Sequence, residues 1–249
     1  MSFSIKLGNF LYKNAFFLYR PLYYLFKNKQ DKFEIALLKK LIRPGAHVVD
    51  IGANIGFYAG LISELCGEAG TLHCFEPDHI NFKYLEKACT GKKNITLNQK
   101  AVSAKTEVLK FYTSPSLNVD HRSYEPEHYA SVTEVPAVAL DDYLKAYPGA
   151  VDLIKIDIQG FEMQALQGML NCLNQNKDIV LISEFWPYGL QNAGSSATAY
   201  YTALQELGFQ IWLFDENELV NFDLQKAGSL EKLGEAHYFN ILASRKHVH

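Results

Sequence analysis

His47-Val48-Val49-Asp50-Ile51-Gly52-Ala53-Asn54-Ile55-Gly56-Phe57-Tyr58 is the stretch on which the fold turns. An apolar run, His47-Val48-Val49, is followed by a small-residue turn and then by a helical pattern, Phe57-Tyr58-Ala59-Gly60-Leu61-Ile62. The spacing predicts a short buried strand that ends in a tight turn, and a helix that opens at once. The N-terminus of a helix carries unpaired backbone N–H groups and a partial positive charge. Glycines let such a backbone approach a ligand closely. The pattern is Asp-x-Gly-x-x-x-Gly rather than Gly-x-Gly-x-x-Gly, so it departs from the dinucleotide fingerprint and fits a smaller ligand head.

Working outward, Thr71-Leu72-His73-Cys74-Phe75 reads as the next strand and stops at Glu76-Pro77. A carboxylate at the end of the second strand of a βαβ unit can accept both hydroxyls of a ribose, and Pro77 removes a donor and ends the strand. Asp50 as a turn cap and Glu76 as a solvated loop carboxylate are the bland alternatives. Both residues in one strand–turn–helix–strand unit favour a nucleoside site.

Five runs now stand in one order: VVDIGANIGFYAG (48–60), HCFEPD (73–78), AVALDDYL (137–144), VDLIKIDIQGFEMQAL (151–166) and IVLISEF (179–185). Over roughly residues 45 to 185 the chain resembles the FkbM family of S-adenosylmethionine-dependent methyltransferases. One position departs: the family often has Glu where this chain has Gln159. The resemblance implies a Rossmann-like class I methyltransferase fold, a mostly parallel seven-stranded sheet with helices on both faces and a final antiparallel strand. It also implies methyl transfer to a hydroxyl oxygen of a sugar, polyketide or related metabolite. The cofactor-binding set expected here is Asp50, Gly52, Ala53, Asn54, Gly56, Phe57, Tyr58, Glu76, Pro77, Ala101, Val102 and Asp157.

The chain has 249 residues, 48% hydrophobic content and a net charge of −3, which suits one domain with an appendage. We divide it into an N-terminal helical segment, 1–43, and a methyltransferase domain, 44–249. The acidic balance argues against nucleic acid as the main partner. Cys66, Cys74, Cys89 and Cys172 make no Cys-x-x-Cys pair and read as reduced hydrophobes in a cytoplasmic protein.

Residues 1 to 30 carry Lys6, Lys13, Arg20, Lys27 and Lys29 and no acid, four of them at a spacing of seven. Aromatic and aliphatic residues lie between them. The longest uninterrupted apolar run, Ala15 to Tyr19, is too short to span a membrane. Two readings stand: a helix at an anionic membrane interface, on the inner face of a membrane, and a helical layer packed on the domain. Pro21 is expected to end one helix and begin another.

Further along, Asp31 to Ile42, Ile80 to Cys89, Glu162 to Leu170 and Ala199 to Leu207 read as helices, the last closed by Gly208. Asp141 is expected to cap a short helix through Leu144. Strands are expected at 94–98, 108–112, 132–138, 151–156, 179–185, 209–214 and 238–243. The 114–129 stretch reads as a loop over the site, and Asn192 to Ala197 as a flexible loop.

Ligands of open α/β sheets bind beyond the carboxyl ends of the strands. Four carboxylates fall there: Asp50, Glu76, Asp157 and Glu184. A carboxylate-lined cleft suits a cationic sulfonium, and an aliphatic hydroxyl needs a base. Asp157 is the first candidate for base or substrate-orienting acceptor, Glu184 the second and His121 the third. An ion pair with Lys155 or a capping role is the alternative for Asp157. Asp157 and Glu184 also have the chemistry to share a divalent metal, which no dense ligand motif supports. Aromatics at 185–188 suit stacking on a sugar, or a core. Two other functions are open: a nicotinamide-dependent oxidoreductase, which the missing glycine pattern opposes, and a non-catalytic nucleoside-binding scaffold.

Overall fold

Three helices precede the first strand in the computed structural model, which describes residues 3–114, 122–126 and 129–247. They are α1 (Phe3–Asn14), α2 (Phe16–Gln30) and α3 (Lys32–Leu41). The break between α1 and α2 falls at Ala15, where the backbone leaves helical geometry (φ −145°, ψ 55°), and not at Pro21, which is carried inside α2. The chain continues through β1 (His47–Ile51), α4 (Phe57–Cys66), β2 (Thr71–Phe75), α5 (His79–Ala88) and β3 (Ile95–Asn98). Next come β4 (Ala101–Val102), β5 (Glu107–Thr113), β6 (Ser131–Val138), α6 (Leu140–Leu144) and β7 (Leu153–Ile156). Then follow α7 (Glu162–Gln167), α8 (Leu170–Gln175), β8 (Val180–Phe185), α9 (Pro187–Asn192) and α10 (Ala197–Glu206). The last elements are β9 (Gln210–Asp215), β10 (Glu218–Asn221), α11 (Leu224–Leu230) and β11 (Phe239–Ser244).

The main sheet has the order β10-β9-β11-β8-β7-β1-β2-β3. The five strands from β8 to β3 pair in parallel, and β11 inserts antiparallel between β8 and β9. This is the Rossmann-like class I methyltransferase arrangement. Beyond the seven strands expected, an eighth, β10, extends the edge as a hairpin on β9. The strands expected at 108–112 and 132–138 are β5 and β6, which pair antiparallel and with β4 form a separate three-stranded sheet.

Alternation along the central strands divides the core between the two faces. In β1, Val49 and Ile51 join the cluster that includes Ile154, Ile156, Leu166 and Leu181, whereas Val48 joins Leu37, Leu38, Ile62 and Leu153. Period two is what buries a parallel strand on both faces. Since Leu37, Leu38 and Ile42 of the N-terminal segment sit in this second cluster, α3 shares the core of the domain.

Three local readings change. Asp141 does not cap its own helix: its carboxylate accepts the Asn171 and Cys172 N–H groups at 2.9 and 2.8 Å, and so caps α8 from a distance. The expected single helix through 162–170 divides into α7 and α8. At the division Gly168 packs so closely that a Cβ would stand 2.0 Å from the Ser103 carbonyl oxygen. The 192–197 stretch is ordered as the end of α9 and the cap of α10, where Ser196 Oγ accepts the Ala199 N–H at 3.0 Å.

Candidate active site

Register brings the functional strand ends together. Ile51 pairs with Phe75 on one side and Ile156 on the other, and Ile156 pairs with Ser183. One residue further on stand Gly52, Glu76, Asp157 and Glu184, side by side at the carboxyl edge. The chain order reverses between β1 and β7, where such sheets open a crevice. The crevice is a cleft of about 970 Å³, whose wall includes Gly52, Ala53, Asn54, Phe57, Tyr58, Glu76, Pro77, Ala101, Val102, Asp157 and Glu184.

Both glycines of the turn make room for neighbouring protein. Gly52 has φ +88°, and a Cβ there would lie 2.0 Å from the Asp157 carbonyl oxygen. Gly56 has φ +85°, and its Cβ would press on Ala88 and Leu85 of α5 at 2.9 and 3.0 Å. Gly56 does not line the cleft. The loop donors are also spent internally. Gly52 and Ala53 N–H donate to the Phe75 carbonyl at 2.9 and 3.0 Å, Asn54 N–H to Glu76 at 2.9 Å, Ile55 N–H to the Asn54 side chain at 2.8 Å, and Gly56 N–H to the Ala53 carbonyl at 2.9 Å.

Glu76 follows β2 directly and lines the cleft. One carboxylate oxygen accepts the Asn54 N–H at 2.9 Å, the other the Asp78 N–H at 2.8 Å, and each keeps a further lone pair for one hydroxyl of a vicinal diol. Burial pushes its pKa up to about 8, against the lowering effect of these two N–H groups. Asp50 sits deeper. It is 1% exposed, lies outside the cleft wall, and both of its oxygens lack a hydrogen bond. Burial raises it to about 6, moderated by Lys155, its register partner on β7.

A charge network occupies the floor. Lys155, 4% exposed, places Nζ 3.4 Å from Asp157 Oδ2 and 4.0 Å from Glu34 Oε1, and 4.5 Å above the Tyr58 ring. Burial opposes its charge, yet Asp157, Glu34 and Asp50 hold its pKa above the ordinary value. Burial likewise opposes ionisation of Asp157 and is the largest single influence, but Lys155, Lys27 and the Gln159 amide together outweigh it and leave Asp157 below its ordinary value. Glu184 moves the other way: burial, then the charges of Asp157 and Glu162, raise it well above the ordinary range. Gln159, at φ +56°, spans the pair. Its Nε2 donates to Glu184 at 3.2 and 3.1 Å and to Asp157 Oδ1 at 3.3 Å. Glu162 lies behind this loop and accepts the Ile158 and Gly160 N–H groups, both at 3.2 Å.

The roof comes from the N-terminal segment. Tyr23, Phe26, Lys27, Asp31 and Glu34 line the cleft, and Tyr58 donates to Asp31 Oδ2 at 2.6 Å while Lys27 pairs with the same carboxylate. Glu34 was missed in the sequence because nothing in α3 but its amphipathic pattern points to it. It accepts from Asn240 of β11 at 2.9 Å, a contact across 206 residues. Of the aromatics after β8, Trp186 lines the cleft, its indole donating to the Glu235 carbonyl at 3.0 Å under Arg122, whereas Phe185 is core. His121, expected over the site, lies outside the described residues. Among the described residues no group of three or more His, Cys, Asp or Glu is placed to hold a metal ion. The space between Asp157 and Glu184 is bridged by the Gln159 amide.

Among the described residues the cleft wall carries seven acids (Asp31, Glu34, Glu76, Asp157, Glu184, Glu216, Glu235) and four cations (Lys27, Lys100, Arg122, Lys155), and burial pushes Glu34, Glu76 and Glu184 toward their neutral forms. Residues 50–211 match the methyltransferase FkbM domain. No curated protein matches the chain. Solved structures similar to it include an S-adenosylmethionine-dependent methyltransferase from Aquifex aeolicus, with 14% identity, TM-score 0.49, and 87% of this chain and 92% of that one covered. An O-methyltransferase from Thermotoga maritima has 14% identity, TM-score 0.46 and coverages of 89% and 66%. An rRNA methylase from Streptococcus thermophilus has 9% identity, TM-score 0.48 and coverages of 85% and 93%.

Proposed function

We propose, from the membership of this chain in the FkbM methyltransferase family, that it methylates a hydroxyl oxygen of a carbohydrate, glycan or related hydroxylated metabolite. That it is an S-adenosylmethionine-dependent methyltransferase follows from the family. The acceptor and the residue roles are our reading. When bound, S-adenosylmethionine supplies an electrophilic methyl group on a sulfonium.

The observation that carries the reading is the split acidity of two neighbouring carboxylates, Asp157 held ionised by Lys155 and Glu184 pushed toward protonation by burial. Pairs of titratable groups driven apart in this way mark distinct acid and base roles. Asp157 orients the acceptor hydroxyl as a permanent hydrogen-bond acceptor, and Glu184, in its ionised form a strong base, takes its proton. Gln159 holds both carboxylates in register, and Glu162 fixes the loop that carries them. Trp186 supplies an apolar wall of the kind on which a sugar face stacks.

Steady-state kinetics of Asp157→Asn and Glu184→Gln test this. Each substitution is expected to lower turnover by about 10²–10⁴-fold while leaving cofactor affinity nearly unchanged. Glu184→Gln should also flatten the rise of turnover with pH. Wild-type turnover in both variants would overturn the assignment.

A further inference from the structure

The outer face of α2 is apolar and its inner face is aromatic–polar, the reverse of an ordinary surface helix. Tyr19, Tyr23 and Tyr24 point toward the domain and pack in the cluster around Ile55. Phe17, Leu18, Leu22, Leu25 and Phe26 point away and are 76%, 47%, 56%, 69% and 61% exposed. Pro21 lies among them, also exposed. Isolated exposed apolar residues need no explanation, but a continuous stripe along one helix marks an interaction surface.

The charge identifies the occupant. Residues 1 to 30 hold five cations and no acid, which leaves the other 219 residues with 19 cations against 27 acids. The chain is therefore polarised, with its positive end at the apolar stripe. The expected row of basic residues at a spacing of seven does not itself form the outer face. Lys27 turns inward to Asp31, and Arg20 lies 5.2 Å over the Tyr24 ring. Instead, Arg20 joins Lys13 and Lys87 of α5 around a recess of about 840 Å³ beside the stripe. Apolar side chains flanked by cations are what an anionic lipid interface receives.

We propose that the outer face of α2 docks on an anionic phospholipid bilayer, with Phe17, Leu22 and Leu25 entering the acyl boundary and Lys13, Arg20 and Lys87 meeting headgroup phosphates. Phe26 belongs both to the stripe and to the cleft wall, so docking sets the mouth of the cleft at the membrane surface. The docking does not depend on the identity of the methyl acceptor.

Co-sedimentation of the full chain with vesicles of phosphatidylglycerol and phosphatidylcholine tests the proposal, with pure phosphatidylcholine vesicles and added salt as controls. Wild type is expected to bind the anionic vesicles several-fold better, and salt should weaken the binding. Phe17→Ser/Leu22→Ser/Leu25→Ser should reduce partitioning by at least about tenfold. Lys13→Glu/Lys87→Glu should abolish the preference for anionic lipid, a second route to the same result. Calorimetric titration with S-adenosylmethionine checks that each variant is folded. Absence of vesicle binding, or unchanged binding by both variants, would overturn the proposal. So would a wild-type dimer in sedimentation velocity that the triple variant dissolves without any lipid binding, which would assign the stripe to a second copy of the chain.

Discussion

Glu76 joins more functions than any other residue of the site. Its carboxylate ties the β1 turn to the start of α5 through two backbone N–H groups and faces the cleft with the lone pairs that remain. Glu76→Ala should weaken S-adenosylmethionine binding by about 1–3 kcal/mol, measured by calorimetry, the usual size for leaving buried hydroxyl donors without their acceptor. A pH signature follows as well. Burial raises Glu76 from an ordinary 4.5 to about 8, so the folded chain keeps a proton that the unfolded chain releases in between. Stability from this source is fully present below the unfolded value and is lost as pH rises through the folded one. The stability difference between wild type and Glu76→Gln, measured by denaturant titration without ligand, should therefore move against wild type by on the order of 1–3 kcal/mol between about pH 5 and about pH 8. A difference independent of pH would show that Glu76 is already ionised in the folded chain.

At the scale of elements, most of the architecture was legible because strand and helix periods are carried by apolar side chains that the core then buries. The Asp50-to-Gly56 turn, the Glu76 strand end and the Asp157–Glu184 pair fell where the spacing put them, since register in a parallel sheet aligns strand ends. What stayed illegible depends on contacts distant in sequence. Glu34 reaches the site only because α3 packs on β11 and the floor. Asp141, beside a short helix, reads as its cap, yet caps α8 instead. That Asp157 and α5 press against the turn glycines is likewise a contact distant in sequence. Asp141→Ala should cost about 0.5–2 kcal/mol of stability, the loss of one helix cap, with methyl transfer unchanged. Urea denaturation and turnover together check this, and a fall in turnover at unchanged stability would contradict the capping role.

At the scale of the whole molecule, the expected boundary near residue 43 separates elements and not cores. Leu37, Leu38 and Ile42 are buried with the central strands, and α2 and α3 wall the cleft. We propose that the two parts fold as one unit. A chain beginning at residue 44 loses three buried aliphatic side chains, each worth about 2–5 kcal/mol, against a total stability of about 5–15 kcal/mol. It should lack a cooperative unfolding transition by circular dichroism, and a sharp transition would contradict the single-core reading. Among the described residues no helix is long and apolar enough to cross a membrane.

The central claim is methyl transfer from S-adenosylmethionine to a hydroxyl oxygen of a carbohydrate, glycan or related hydroxylated metabolite. Its most direct test is to incubate the full chain with methyl-labelled S-adenosylmethionine and fractionated cell extract, and to identify the labelled product. The expected result is label in a carbohydrate-bearing or other hydroxylated small molecule, held in a base-stable ether, and lost with Asp157→Asn. Label confined to RNA or protein, a base-labile methyl ester, or transfer that Asp157→Asn leaves intact would contradict it.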